Sequence, residues 1–304
     1  LYTQYEPADC RRVFPNFEQP DLKAVFNFRI TAPRDWVVSS NGVLESEVSD
    51  PTDSNIVKRV FAPTERISTY ITAVLAGEYF TVTDTYKPQS ITNSGDIPLV
   101  AYCRHSLKPH FDYDNIFRVT KNGLDFFQDL FDYPYPYPKY EQAFVPEYNI
   151  GAMENPGLVT FTEDFIFVSG ATEDDLEGRA NTICHEMAHM WFGDLVTMKW
   201  WDDLWLKESF ADFMGALGAI EANGFNDAWV TFANNRKSWA YLQDQLPTTH
   251  PIVADIPHLE AAAQNFDGIT YAKGASTLKQ LVSYVGFDTF IEAARVYFKR
   301  FAWG

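Results

Sequence analysis

The sequence predicts an α+β protein in which a β-rich part comes first and a mainly helical part follows. Three observations predict this order: apolar residues alternate with polar ones in the first third, apolar residues take helical spacing after about residue 105, and a metal-ligand motif lies in the helical part. We therefore expect two domains, a β-rich one over residues 1–104 and a helical one over residues 105–304.

The β-rich part is predicted from alternation and from turn residues. Apolar and polar residues alternate along 24–30 and along 69–75, which is typical of half-buried strands. Asn41-Gly42 stands between two apolar runs and predicts a tight hairpin. A further turn is predicted at Asn93-Ser94-Gly95.

The second part is predicted to be mainly helical, with short strands at 142–145 and 158–161 before the metal-ligand motif. Thr172 and Asp175 have the spacing of a capping box, so we expect the helix that carries the motif to begin there. The other expected helices cover residues 114–131, 207–222, 227–244, 270–284 and 287–302.

The strongest functional signal is the run His185-Glu186-Met187-Ala188-His189. Residues i and i+4 share one face of a helix, so both imidazoles can reach one metal ion while Glu186 lies beside it as a base. Glu208, nineteen residues after His189, supplies a third ligand. Two nitrogens and one oxygen suit zinc with an open fourth position. The sequence therefore predicts a hydrolase with one zinc ion per chain.

Composition excludes several other classes of function. A formal net charge of -17 at pH 7 argues against nucleic acid as a partner, because phosphates would be repelled. The sequence has no apolar run of membrane-spanning length. Three scattered cysteines do not make a disulfide framework and no Asn-x-Ser/Thr acceptor occurs, so we expect a cytoplasmic protein.

Four separated runs resemble the aminopeptidase N family of zinc metallopeptidases, and the resemblance covers essentially the whole chain. These runs are Thr3-Gln4-Tyr5-Glu6-Pro7, Gly151-Ala152-Met153-Glu154-Asn155, the zinc motif continued as Met190-Trp191-Phe192-Gly193-Asp194-Leu195-Val196-Thr197, and Tyr271-Ala272-Lys273-Gly274-Ala275. The resemblance implies a saddle-like β domain, then a thermolysin-like catalytic domain, and beyond Gly304 a helical domain that closes over the site. We therefore expect this chain to be a fragment.

The resemblance also implies a chemistry, the removal of amino-terminal residues from peptides by a zinc-activated water. Glu186 is expected to accept the proton of that water and later to pass it to the leaving amine. Tyr271 matches the tyrosine that donates a hydrogen bond to the oxyanion of the transition state.

A peptidase that acts only at a free amino terminus must recognise the protonated α-amine, and carboxylates do this well. Glu154 and Glu6 match the two carboxylates that have this role in the family, and Gln4 matches a polar residue of the same pocket. The run Gly151-Ala152-Met153 is expected to lie alongside the peptide, as an edge strand can.

Two further carboxylates allow more than one interpretation. Asp212, four residues after Glu208, either receives an N–H from a ligating histidine or is a solvated helix charge, and we favour the second. Asp194 either orients a ligand or caps the end of the motif helix.

Two alternative functions stay open. A relative of leukotriene A4 hydrolase would share the zinc site, but its amine-binding run typically starts Gly-Gly, whereas this chain has Gly151-Ala152. A non-catalytic member of the fold, or a truncated zinc-binding form that cannot turn over, is the other alternative. The five residues that would have to be retained for catalysis are all present, which argues against the non-catalytic form: His185, Glu186, His189, Glu208 and Tyr271.

Overall fold

The computed structural model of the protein describes residues 1–89 and 95–304, and these residues form ten strands and eight α-helices. Of the predicted turn Asn93-Ser94-Gly95, the first two residues lie outside the described part. The strands are β1 (Arg29–Pro33), β2 (Val37–Ser40), β3 (Leu44–Ser49), β4 (Ile56–Phe61), β5 (Val74–Gly77), β6 (Tyr79–Tyr86), β7 (Ile97–Arg104), β8 (Tyr140–Val145), β9 (Ala152–Met153) and β10 (Leu158–Thr162). The helices are α1 (Tyr113–Phe131), α2 (Glu173–His189), α3 (Leu204–Glu221), α4 (Ala228–Thr231), α5 (Ser238–Asp244), α6 (Leu259–Ala263), α7 (Gly274–Val285) and α8 (Phe287–Phe301). Strands therefore precede most helices, and the predicted α+β class is confirmed.

The first five strands form two small antiparallel sheets, ordered β1-β4-β3 and β2-β5. The hairpin predicted at Asn41-Gly42 is wrong, because β2 and β3 on its two sides belong to different sheets. The Asn41 side chain is buried and its amide donates to the carbonyls of Ile71 and Pro156, each at 2.9 Å. A Cβ at Gly42 would lie 2.2 Å from the Ala62 carbonyl oxygen. The pair is therefore a close crossing point between sheets.

The alternating segments 24–30 and 69–75 are strands only at their ends. Residues 69–71 form a 3-10 turn, and Tyr70 and Ile71 are both almost completely buried. The earlier segment pairs through an isolated bridge between Ala24 and Ile67 before β1 begins. Alternation in sequence therefore overestimates strand length where tertiary packing buries both faces of a segment.

The third sheet has the order β6-β7-β8-β10-β9 and lies beside the helices. Strands β7, β8 and β10 are parallel, and β6 and β9 are antiparallel edge strands. The strands predicted at 142–145 and 158–161 are confirmed. Two strands of this sheet, β6 and β7, lie before residue 105. A domain boundary just before Tyr79 would therefore keep the whole sheet in the second domain. The division at residue 104 stays a prediction.

The motif helix α2 begins as predicted, with Thr172 and Asp175 forming a reciprocal capping box. It packs along α3, and the two helices approach closely where Gly218 of α3 has no side chain. A Cβ at Gly218 would lie only 3.0 Å from Cys184 Sγ of α2. Helix α1 and helix α8 complete the core around this pair. Both helices that carry metal-ligand candidates are thus held rigidly.

The helices predicted over 227–244 and 270–284 are confirmed in extent, but each contains a widened, π-helical turn. These turns cover Phe232–Lys237 and Ile269–Lys273. Such turns change the direction in which side chains leave a helix and are frequent at functional sites. Among the described residues, no helix combines the length and the apolarity that crossing a bilayer requires.

Candidate active site

The three predicted metal ligands converge on one point between α2 and α3. The Nε2 atoms of His185 and His189 lie 3.1 Å apart, and Glu208 Oε2 lies 3.4 Å from each of them. The Glu208 side chain is 2% exposed, yet its Oε2 atom has no hydrogen-bond partner in the described part of the chain. A buried carboxylate oxygen without a donor is costly, so the position calls for a cation.

These distances fit zinc. Ligands 2.0–2.1 Å from a tetrahedral ion lie about 3.3 Å from one another, close to the observed spacing of 3.1 and 3.4 Å. Two imidazole nitrogens and one carboxylate oxygen form the donor set of catalytic zinc sites with an open position. The side chains of the chain alone therefore make a suitable zinc site.

The ring of His189 is oriented by a hydrogen bond behind it, and the ring of His185 has a carboxylate nearby. Nδ1 of His189 donates to the Phe192 carbonyl at 3.1 Å, which leaves Nε2 free to bind a metal. Gly193 has φ +136°, and a Cβ there would lie 3.1 Å from His189 Nδ1. Nδ1 of His185 lies 3.8 Å from Asp212 Oδ1.

Glu186 is buried beside the metal ligands, as the motif predicts. Its carboxylate lies in one group with Glu154 and His189, with one atom of each within 4.8 Å of the others. Burial, together with the charges of Glu154 and Glu208, raises the pKa of Glu186 well above its ordinary value.

The predicted amine-binding carboxylates meet around a residue that the sequence analysis missed. The Lys207 ammonium contacts Glu6, lies 2.5 Å from Glu154 Oε1 and lies 3.0 Å from Glu208 Oε1. Its side chain is 1% exposed. A signal was available, because Lys207 is the only cationic residue of α3, a helix that is otherwise mostly buried. A lone lysine in such a helix needs anionic partners.

Charge in this cluster is unbalanced. Within the described part of the chain, Lys207 provides the one ammonium within 4 Å of Glu6, Glu154 and Glu208, and Glu186 lies within 4.8 Å of Glu154. Burial and the charge of Glu154 raise the pKa of Glu6 well above its ordinary value. Although burial opposes its ionisation, the Lys207 ammonium holds the pKa of Glu154 below its ordinary value. The site therefore has room for further positive charge.

Tyr271 stands beside the same centre, on the second π-helical turn. Its ring stacks on that of His185, with centroids 6.1 Å apart and planes at 16°. Burial and the Glu208 charge raise the pKa of Tyr271 well above its ordinary value, so the phenol keeps its proton. Close packing fixes this segment, since Ser209 Oγ donates to the Thr270 carbonyl at 2.6 Å and a Cβ at Gly274 would lie 1.9 Å from that Oγ.

One cavity of about 720 Å³ joins these groups. Its lining includes Gln4, whose amide donates to the Glu6 carbonyl at 2.9 Å, and the residues Gly151 and Ala152 at the free edge of the five-stranded sheet. Met153 is different: it is fully buried in the core and does not line the cavity. Side chains alternate along a strand, so Met153 faces away from Ala152.

The two carboxylates with open roles are both buried. Asp212 is 4% exposed and accepts two hydrogen bonds from Arg236, so the interpretation as a solvated helix charge is wrong. Asp194 is completely buried, and neither of its carboxylate oxygens has a partner among the residues described. Burial and the charge of Glu154 raise the pKa of Asp194 well above its ordinary value.

Comparison with known proteins places these features in a family context. Residues 116–304 match the Peptidase family M1 domain, and residues 1–71 match the Peptidase M1 N-terminal domain. The chain is 54% identical to Aminopeptidase N of Streptomyces lividans, over 100% of the chain and 34% of that relative. Identity is 36% to Tricorn protease-interacting factor F2 of Thermoplasma volcanium (100% of the chain, 37% of the relative) and 35% to Aminopeptidase N of Oryctolagus cuniculus (99% and 31%). The chain thus spans about a third of the length of these curated relatives.

Proposed function

The chain belongs to peptidase family M1, and on this premise we propose that it forms the catalytic part of a zinc-dependent aminopeptidase. The relatives named Aminopeptidase N support this activity. The substrates are peptides with a free amino terminus, and the reaction is hydrolysis of the first peptide bond.

The observation that carries the proposal is the pair Glu154 and Glu6 next to the ligand set. Both carboxylates are nearly buried, both lie within reach of Glu208, and each uses one oxygen on Lys207. The second oxygen of each can accept from the α-ammonium group of a substrate. A zinc dication and a protonated amine would each add positive charge among these carboxyl groups.

His185, His189 and Glu208 are the proposed ligands of one zinc ion per chain. When bound there, zinc supplies a Lewis acid that acidifies water and polarises the peptide carbonyl. Glu186 takes the proton of the attacking water and passes it to the leaving amine. Its position beside His189 and Glu154 suits this role, because a base must lie next to the ligand set to reach the attacking water.

The remaining side chains bind and orient the substrate. The Tyr271 phenol donates to the oxygen of the tetrahedral intermediate. Gln4 lines the pocket of the first side chain, while Gly151 and Ala152 offer the free edge of β9 to the peptide backbone. Met153 contributes through its backbone only.

Two wider proposals follow. The relatives are about three times as long as this chain, which supports the expectation of a further helical domain that closes over the cavity. We also propose a cytoplasmic location, because Cys10, Cys103 and Cys184 are all free and buried, as in a reducing compartment.

The test is hydrolysis of aminoacyl-naphthylamides and of their N-acetylated counterparts by the full-length protein, with and without a chelator. We expect chelator-sensitive cleavage of the free-amine substrates alone. Glu154→Gln should raise KM for these substrates at least tenfold. The matched control is Glu45→Gln, because Glu45 is exposed on β3 and does not line the cavity. Cleavage of the acetylated substrates at comparable rates would refute the roles of Glu154 and Glu6.

A further inference from the structure

Arg236 contacts both Asp212 and Tyr271, two residues that share no hydrogen bond in the described part of the chain. Its Nε donates to Asp212 Oδ2 at 3.0 Å and its Nη2 donates to Asp212 Oδ1 at 2.7 Å. The same guanidinium lies over two aromatic rings, 5.6 Å from the centroid of Tyr271 and 5.0 Å from that of Trp239. Arg236 also lines the cavity. One side chain therefore contacts a buried carboxylate and the proposed oxyanion donor.

The partners of Arg236 both approach His185. The Tyr271 ring stacks on the His185 ring with centroids 6.1 Å apart, and the Arg236 guanidinium lies 5.6 Å from the Tyr271 centroid. Asp212, held by the guanidinium, places Oδ1 at 3.8 Å from His185 Nδ1. His185 Nε2, on the opposite edge of the imidazole, points at Glu208. Side-chain contacts thus connect His185 to Asp212, Asp212 to Arg236, Arg236 to Tyr271, and Tyr271 back to His185.

The two residues that meet at the phenol ring both come from widened helical turns. Arg236 lies in the π-helical turn Phe232–Lys237 and Tyr271 in the π-helical turn Ile269–Lys273. The two turns pack against each other. In a regular α-helix the same residues would leave the axis in other directions, so the irregular backbone is what brings the guanidinium over the phenol ring.

We propose, given the function proposed above, that Arg236 is a positioning residue that orients Tyr271 for the oxyanion and, through Asp212, orients His185 for the metal. The guanidinium suits this task because it is planar and always charged, and because its fork of donors matches a carboxylate while its face stacks on aromatic rings. It also neutralises Asp212, which would otherwise be a buried and unpaired negative charge. Lysine can offer the charge but neither the fork nor the plane.

The role predicts a specific pattern of defects. Displacing a catalytic group by about 1 Å can cost about 100-fold in rate, and losing an orienting partner of a metal ligand costs about 10- to 100-fold in metal affinity or activity. Arg236→Met should therefore lower kcat about 10- to 100-fold, change KM less than about threefold, and weaken zinc binding about tenfold. The zinc measurement, by competition with a chelator, does not depend on turnover.

The experiment compares four variants of the full-length protein: Arg236→Met, Arg236→Lys, Tyr271→Phe and the double variant Arg236→Met with Tyr271→Phe. Lys237→Met is the matched control, because Lys237 lies on the same turn but faces Tyr241. At saturating zinc the weaker metal binding no longer limits kcat, so the methionine change should lower kcat less than about threefold in the Tyr271→Phe background. Arg236→Lys should stay at least about fivefold below wild type in kcat, and it carries the test if the methionine variant folds poorly.

Three results would overturn the proposal. The first is a Lys237→Met variant with the same losses as Arg236→Met, which would indicate a general effect of the turn. The second is full recovery by Arg236→Lys, which would show that charge alone suffices. The third is independent, multiplicative losses of kcat from Arg236→Met and Tyr271→Phe when both are measured at saturating zinc. Failure of the proposed function would look different, because Tyr271→Phe and Glu186→Gln would then leave the activity of the protein unchanged.

Discussion

Replacing Lys207 by methionine tests the electrostatics of the site most directly. Methionine keeps most of the length of the side chain and removes the only ammonium among Glu6, Glu154 and Glu208. Removing one partner of a buried ion pair typically costs about 3–5 kcal/mol, because the other charge is left buried without compensation. Here Glu154 and Glu208, whose pKa values lie below their ordinary values, lose their partner together, so we expect the upper part of that range, a fall of about 10 °C in Tm.

The assay is thermal and urea unfolding of the wild type and Lys207→Met, with Lys58→Met as the control for an exposed lysine. A second comparison isolates the cause: Glu154→Gln added to Lys207→Met removes one uncompensated charge, because the pKa of Glu154 is held below its ordinary value, and should restore part of the lost stability. A loss below about 1 kcal/mol for Lys207→Met, or a further loss on adding Glu154→Gln, would refute the argument that repulsion among these carboxylates is what Lys207 relieves.

Three further predictions can be checked with the same protein. Gly274→Ala places a Cβ within 1.9 Å of Ser209 Oγ, so either that hydroxyl rotates away and loses its bond to the Thr270 carbonyl, or helix α7 shifts. Both changes disturb the turn that holds Tyr271, so kcat should fall about 100-fold while zinc stays bound, which metal analysis will show. Glu186→Gln should retain zinc but lower kcat about 100- to 10,000-fold, and an unchanged kcat would remove Glu186 from the reaction. Burial lowers the pKa of Lys23 to about 8 from 10.5, so between these two pH values the unfolded state binds more protons and the free energy of unfolding rises with pH. Lys23→Met should remove that rise, which amounts to at most about 3 kcal/mol in urea titrations at pH 8 and pH 10.

Features that depend on residues close together in the chain can be predicted from the sequence. His185 and His189 face the same way because helix geometry alone sets the i, i+4 relation, and Thr172 caps α2 through Asp175 only three residues on. Both features are confirmed. Helix positions after residue 105 are likewise local consequences of apolar spacing, and their ends agree within a few residues.

Contacts between distant segments could not be obtained in this way. Asn41-Gly42 has the local chemistry of a hairpin, but whether its flanking strands pair depends on what else each strand meets, and Asn41 meets Ile71 and Pro156. The sequence does not predict the burial of Asp212, because its partner Arg236 lies 24 residues away in a π-helical turn that no spacing rule predicts. The general lesson is that residue type predicted the chemistry, while pairing decided which charges are buried.

The amine site shows why both halves of the chain are needed for the proposed chemistry. Lys207 lies 201 residues from Glu6 and 53 residues from Glu154, yet all three meet within hydrogen-bond distance. The metal ligands come from α2 and α3 alone, so a chain without its first segment would keep the zinc donors but lose Glu6 from the amine site. Lys207 would then face fewer carboxylates, and recognition of the substrate would rest on Glu154. The proposed specificity for a free amino terminus therefore depends on the contact between the first segment and α3, whereas the proposed metal ligands all belong to α2 and α3.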